Sequence, residues 1–184
     1  CEPPIWCRLI GSYLDRKGIG VEILDADALG LTPEEVAGCT KHLKPLLVIV
    51  VVHGQQPSAS TQNMPGAIAT CKAIKELTPD IPILVIGGHP AALPQRTLVE
   101  ISADFVCTGE GPVTAWQLAE CLNAKSPVNG VQGLERLISR RQIDGRSEVV
   151  SITTPPAPNV WDFSEMPGGM WEKLWLGKGA ISRI

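Results

Sequence analysis

The sequence predicts an α/β chain built on a doubly wound parallel sheet, with a β-hairpin and an extended, tryptophan-rich tail after it. Two apolar runs, Leu46 to Val52 and Ile83 to Ile86, show no polar alternation. Such runs form strands covered on both faces. Segments with helical spacing alternate with strand-like runs, and this alternation gives a parallel sheet wrapped on both faces by right-handed crossovers. From Gly130 onward the pattern changes to polar alternation around a turn, then to proline and tryptophan.

Ile5 to Lys17 opens the chain as a helix. Its apolar residues Ile5, Trp6, Leu9, Ile10, Tyr13 and Leu14 share one face, and Gly18 stops it. Val21 to Leu24 reads as a short strand, with Asp25-Ala26-Asp27-Ala28 at its carboxyl end. For both aspartates the default is a capping or turn role. Thr32 caps the next helix, with Pro33 at its first position and Glu35 at the capping-box position. That helix runs to about Leu43 and is closed by Lys44-Pro45.

Leu46 to Val52 is expected to be a central strand. It leads into His53 to Asn63, read as a long, uncharged polar loop. Ala67, Ile68, Cys71, Ile74 and Leu77 then make a helical stripe up to Thr78-Pro79. Ile83 to Ile86 ends at Gly87-Gly88, followed by His89-Pro90 and a loop of small residues to Pro94. Leu93 to Ile101 is a short helix and Asp104 to Cys107 a strand. Thr108-Gly109-Glu110-Gly111-Pro112 is a tight turn, with Pro112 in the first turn of a helix from Val113 to Leu122.

The result is a flavodoxin- or Rossmann-like order whose strand-end loops all open on one rim. In such sheets ligands sit outside the carboxyl ends of the strands. The Gly87-Gly88 pair is therefore a site candidate, its alternative being an ordinary strand-to-helix turn. One feature departs from the pattern. A chain of this class begins with a strand, at the centre of a flavodoxin-like sheet, whereas here Cys1-Glu2-Pro3-Pro4 leads straight into a helix. Either that strand is missing or another segment fills its slot.

Val131 to Ser139 and Glu148 to Ile152 flank a hairpin turn at Asp144-Gly145. Thr153 to Pro158 is proline-rich and extended. Trp161, Phe163, Met166, Met170, Trp171 and Trp175 crowd the rest, and should pack on this sheet or on an absent domain. Residues 1–127 thus form the α/β domain, and residues 128–184 a hairpin and linker.

The chain has 184 residues, 44% hydrophobic and 19% charged, which suits a globular core. A net charge of -3, with no gathering of lysine, arginine and aromatics, argues against a nucleic-acid partner. Arg136, Arg140, Arg141 and Arg146 surround the hairpin turn and read as a solvated face. No apolar run reaches the roughly 20 residues of a membrane span, and the start is not a signal peptide. There is no initiator methionine, so the sequence reads as part of a longer chain. Cysteines 1, 7, 39, 71, 107 and 121 have neither C-x-x-C nor zinc spacing. They read as free thiols of a reducing, cytoplasmic compartment. Cys1 and Cys7 either pair or belong to a truncated end.

Five stretches now stand in register: V-E-I-L-D-A-D-A-L-G-L-T-P-E-E-V, L-L-V-I-V-V-V, G-Q-Q-P-S-A-S-T-Q-N-M, I-K-E-L-T-P-D-I-P-I-L-V-I-G-G-H-P-A-A-L-P and A-D-F-V-C-T-G-E-G. Together they resemble the N-terminal cobalamin (B12)-binding domain of B12-dependent radical SAM proteins. That group includes methyltransferases and anaerobic magnesium-protoporphyrin monomethyl ester cyclases, and G-Q-Q-P-S-A-S-T-Q-N-M looks closest to the cyclase branch. The resemblance runs from about Pro3 to Trp171. Each motif alone is weak, and their order and spacing carry the specificity.

The resemblance implies a corrinoid cofactor in this domain. S-adenosylmethionine and a [4Fe-4S] cluster are implied only for a radical domain of the full-length protein, since the cluster motif C-x-x-x-C-x-x-C is absent here. Residues 179–184 resemble the approach to that cluster loop, so this part alone is not expected to carry out radical methyl transfer or cyclisation. It also implies cofactor-binding roles for Gly54, Gln55, Gln56, Ser58, Ser60 and Thr61, for Gly87, Gly88, His89 and Pro90, and for Thr108, Gly109, Glu110 and Gly111. The first group offers neutral donors and acceptors to the amide arms of the corrin. The glycine pair lets backbone approach its face, and the last group holds the nucleotide tail. The D-x-H-x-x-G motif of other B12 modules is absent, and the resemblance implies no histidine–cobalt bond from His53 or His89.

Two other readings stand beside this one. A flavodoxin- or receiver-like interaction module without corrinoid would need an FMN phosphate loop or a phosphoacceptor aspartate, yet the strand ending Val52-His53-Gly54 carries no aspartate. A degenerate domain would only dock a partner through the tail. The oligomeric state stays open, a homo-oligomer included.

Overall fold

The computed structural model describes residues 4–54, 56–143, 146–160 and 174–175. The elements follow one another as α1 (Ile5–Arg16), β1 (Ile23–Leu24), α2 (Ala26–Leu29), α3 (Pro33–Leu43), β2 (Val48–Val52), α4 (Pro57–Leu77), β3 (Ile83–Gly87), α5 (Gly88–Ala92), α6 (Pro94–Glu100), β4 (Phe105–Cys107), α7 (Pro112–Asn123), a 3₁₀ turn (Val128–Gly130), β5 (Leu134–Ile143), β6 (Arg146–Thr153) and β7 (Leu174–Trp175).

β2, β3 and β4 are parallel, and β5 and β6 continue the same sheet antiparallel, in the order β2-β3-β4-β5-β6. The expected α/β architecture with a parallel sheet is present, and the hairpin joins that sheet as an antiparallel extension where a separate unit was expected. Alternate residues of β3 feed two cores. Ile83 and Val85 pack with Val36, Met64, Cys71 and Leu98 from α3, α4 and α6. Leu84 and Ile86 pack with Ile10, Leu14, Ala115 and Leu118 from α1 and α7. All four β3 side chains are fully buried, each worth about 1.5–3 kcal/mol of apolar transfer. This is why the run has no polar alternation.

Local chemistry sets the helix starts. Thr32 and Glu35 form a reciprocal capping box, and the Asp25 carboxylate accepts the Ala28 N–H at 3.0 Å to cap α2. α4 differs from the expected loop. It starts at Pro57, so Ser58 to Asn63 are helical, and it continues through Pro65. Hydroxyl and amide residues favour caps and turns, which masked a helix whose start signal was proline at its first position. Gly88 to Ala92 likewise forms a short helix where a loop was expected.

Two further differences concern the sheet edges. Among the described residues β2 hydrogen-bonds only to β3, so it is an end strand and not a central one. β1 pairs in parallel with Leu174–Trp175 instead of with β2. Yet Val21 packs on the α1/α7 core and Leu24 on the α3/α4 core, so this segment spans both layers as an extension of the sheet would. The other aromatic residues of the tail, Trp161 to Trp171, lie outside the described residues.

Arg140, read as part of a solvated face, has a structural job. Its guanidinium donates to the Leu98 and Ile101 carbonyls, each at 2.7 Å, and to Val99 O at 3.3 Å. It thereby satisfies the orphan carbonyls at the end of α6. Near the start of the same strand, β5, Glu135 is fully buried and accepts the hydroxyl of Thr153 on β6. Cys7, Cys39, Cys71, Cys107 and Cys121 are free thiols among the described residues, and Cys1 lies outside them. Among the described residues no helix is long and apolar enough to cross a membrane.

Candidate functional site

Because β2, β3 and β4 are parallel, their carboxyl ends share one edge. Val52 is in register with Gly87. Beyond the strands the backbone links continue: Thr108 N–H donates to Gly133 O at 2.8 Å, and Gly133 N–H to Pro155 O at 2.6 Å. The ends of β2, β3 and β4 and the start of β5 therefore line up as a rim.

A buried hydroxyl ties the first two loops together. Ser60, in the first turn of α4, is 2% exposed. It donates to the Val52 carbonyl and accepts the His89 N–H at 3.0 Å. His89 is in the first turn of α5, where an amide has no intrahelical acceptor. One residue on, the Thr61 hydroxyl meets His89 Nδ1 at 3.1 Å, and Asn63 Nδ2 donates to His53 O at 3.0 Å. The amino end of α4 thus fixes both histidine-bearing loops.

The rim glycines divide into two kinds. A Cβ on Gly54 would lie 2.3 Å from Ala59 Cβ, and one on Gly87 would lie 2.2 Å from the Val52 carbonyl oxygen. Gly111 has φ +110°, and a Cβ there would lie 2.9 Å from Ile86 Cγ2. These three are small because the protein's own atoms crowd them. Gly88 and Gly109 are exposed instead. Around Gly109 nothing lies within 4 Å of an added Cβ, and around Gly88 the nearest atom is Ser60 Cβ at 3.7 Å. These two leave backbone open to a ligand.

Among the other predicted site residues, Gln56, Ser58 and Thr61 are exposed at the start of α4, Glu110 is exposed on the loop after β4, and Thr108 is half-buried. Gln56 is the N-cap residue of α4, but its side chain makes no capping bond. Pro90 and Ser60 are buried. Gln55 lies outside the described residues. Glu110 is the single charged group among the predicted site residues. Cys107, under the β4 loop, accepts the Gly109 N–H at 3.4 Å, and burial pushes its thiol pKa up.

Sequence reasoning missed Trp6. Its indole stacks on His53 with ring centroids 4.4 Å apart and planes 17° from parallel. The only hint in the sequence was an aromatic on the first turn of α1, where it read as part of the helix's apolar face. Burial lowers the pKa of His53 from the ordinary 6.5. The Nε2 atoms of both His53 and His89 are buried without a hydrogen-bond partner among the described residues. A hollow of about 270 Å³ lined by Val128, Asn129, Leu134, Arg136, Ile152 and Thr154 shares no residue with these loops.

The rim is an open, mostly neutral shelf of amides, hydroxyls and bare backbone. Such a surface suits a broad ligand with uncharged arms better than a compact anion or a metal ion. Comparisons with known proteins agree with that reading. The model of the B12 binding domain family matches residues 1–119. An uncharacterized methyltransferase of Pyrococcus horikoshii is 25% identical over 177 residues, covering 96% of this chain and 35% of that protein. The anaerobic magnesium-protoporphyrin IX monomethyl ester cyclase of Synechocystis is 29% identical over 178 residues, covering 96% of this chain and 32% of that protein. The chain therefore spans about a third of the length of these relatives. Two structures of the radical S-adenosylmethionine methyltransferase TsrM from Kitasatospora setae share the fold. One, with tryptophan and a SAM analogue, has a TM-score of 0.65 at 19% identity, over 86% of this chain and 28% of that one. The other, with cobalamin and a [4Fe-4S] cluster, has a TM-score of 0.63 at 19% identity, over 86% of this chain and 27% of that one. With the family model covering most of its length and the rim built as described, this chain belongs to the B12 binding domain family.

Proposed function

We propose that the rim holds cobalamin, and that the domain serves a radical SAM methyltransferase or cyclase whose radical half lies outside these 184 residues. The observation that carries the reading is the alignment of neutral, exposed groups along one sheet edge: Gln56, Ser58 and Thr61 on α4, open backbone at Gly88, and Thr108 with open backbone at Gly109. The α4 side chains would bond the amide arms, Gly88 would face the ring, and the 108–110 turn would take the nucleotide tail. Bound cobalamin supplies a cobalt centre that carries a methyl group or assists a radical ring closure. The protein's own part is to seat the ring and keep the Ser60 knot beneath it closed. Residues 1–127 are the cofactor-holding unit in this reading, and residues 128–184 lead toward the radical half. Among the described residues one edge of β2 has no partner strand. Free thiols fit a reducing, cytoplasmic setting.

The test is reconstitution with hydroxocobalamin, gel filtration and an absorption spectrum of the protein peak. We expect near-equimolar retention, and retention also by His89→Ala. A folded protein that elutes without corrinoid absorbance defeats the proposal.

A further inference from the structure

His53 is one of the two histidines on the rim, and its imidazole is held by its face. It follows β2 directly, so its backbone is part of the rim, and Asn63 fixes its carbonyl. The Trp6 indole lies nearly parallel on the imidazole. Rotation about the Cα–Cβ bond would carry the ring out of that stack. In the stacked position Nε2 is buried and meets no partner among the described residues. A buried imidazole nitrogen without a hydrogen bond is destabilising, so something must hold the ring there. Stacking with the partly exposed indole is the contact that does so. The lowered pKa keeps the ring neutral, with a free nitrogen lone pair.

We propose that Trp6 is a positioning residue that clamps His53 and thereby keeps its imidazole from serving as a ligand to the cofactor. The corrinoid part of this inference rests on the cofactor reading above; the clamp itself does not.

Both parts are testable on the 184-residue chain. Diethyl pyrocarbonate acylates neutral, reachable imidazole nitrogens, and peptide mass mapping reads each histidine separately. We expect His53 to react at least tenfold faster in Trp6→Ala than in the wild type, and at the wild-type rate in Trp6→Phe, which keeps a stacking face. His42, exposed on α3, should react equally in all three. Its constancy, with unchanged circular dichroism, separates release of the ring from unfolding. If alanine unfolds the chain, Trp6→Leu keeps apolar bulk without a ring face and takes its place. Equal His53 rates in the folded variants and the wild type overturn the clamp.

The second measurement loads ¹⁵N-histidine-labelled protein with cobalamin and reduces it to Co(II). Electron paramagnetic resonance then distinguishes a histidine nitrogen from the nitrogen of the cofactor's own base. No ¹⁵N splitting is expected in the wild type. A ¹⁵N doublet is expected in Trp6→Ala, lost again in Trp6→Ala/His53→Gln. Loaded Trp6→Ala without a ¹⁵N doublet overturns the ligand-denying role. Failure of the wild type to take up cobalamin counts against the cofactor reading, while the acylation rates still decide the clamp.

Discussion

Ser60→Ala probes the rim at its most connected point. The substitution removes one oxygen and adds no bulk. It deletes the bond to the Val52 carbonyl and the 3.0 Å bond from the His89 amide at a site 2% exposed to solvent. Both backbone groups stay behind in the protein. A buried group left unpaired costs about 1–3 kcal/mol, against a net gain near 1 kcal/mol for a typical made bond. Two such losses, partly relieved by water at the rim, amount to about 2–4 kcal/mol. For a domain of this size each kcal/mol lowers Tm by roughly 2–4 °C, so a drop of about 4–16 °C is expected. Urea unfolding followed by circular dichroism measures it, with the slope unchanged and the midpoint lowered. Retained cobalamin should fall at protein concentrations where the variant is still folded, because the loops carrying His89 and Gly88 lose their tie to α4. A stability loss under about 0.5 kcal/mol would mean that this hydroxyl does not organise the rim.

Gly111→Ala should destabilise by about 2 kcal/mol or more, since it combines a left-handed φ of +110° with a Cβ 2.9 Å from Ile86 Cγ2; an unchanged urea midpoint would refute that crowding. The stability of the wild type should fall with acidity around His53. Its folded pKa is lowered by burial from 6.5, so above about pH 6.5 both states are neutral and the stability is complete. Below that value the unfolded chain takes up the proton first, and stability is lost until the folded ring also protonates. His53→Phe keeps a ring against Trp6 and removes the titration, so urea midpoints between pH 7.5 and 5.5 should decline less in the variant; equal declines contradict the assignment.

How much was legible follows from what each residue type announces. The strands Val48–Val52 and Ile83–Gly87 and the Thr32–Glu35 capping box were readable because unbroken aliphatic runs and S/T-x-x-E have few other uses, although only Ile83–Gly87 is buried throughout and β2 is half-buried up to Val52. α4 was hidden at its start, since Ser58 to Asn63 suit loops as well as helices. The glycines were readable as special but not as to why. Gly54, Gly87 and Gly111 meet atoms from elsewhere in the fold, whereas Gly88 and Gly109 meet none closer than ordinary contact. Trp6 on His53, Ser60 between two loops and Arg140 across 39 to 42 residues are contacts of the fold alone. No local pattern encodes them.

Hydrogen exchange with and without cobalamin tests the shared rim most directly. On saturation, amide protection should rise together in the 56–61, 87–92 and 108–111 segments, with the 137–143 stretch of the hairpin unchanged. Protection confined to the hairpin, or spread without preference over the whole sheet, would contradict a cofactor seat at the carboxyl edge of β2, β3 and β4.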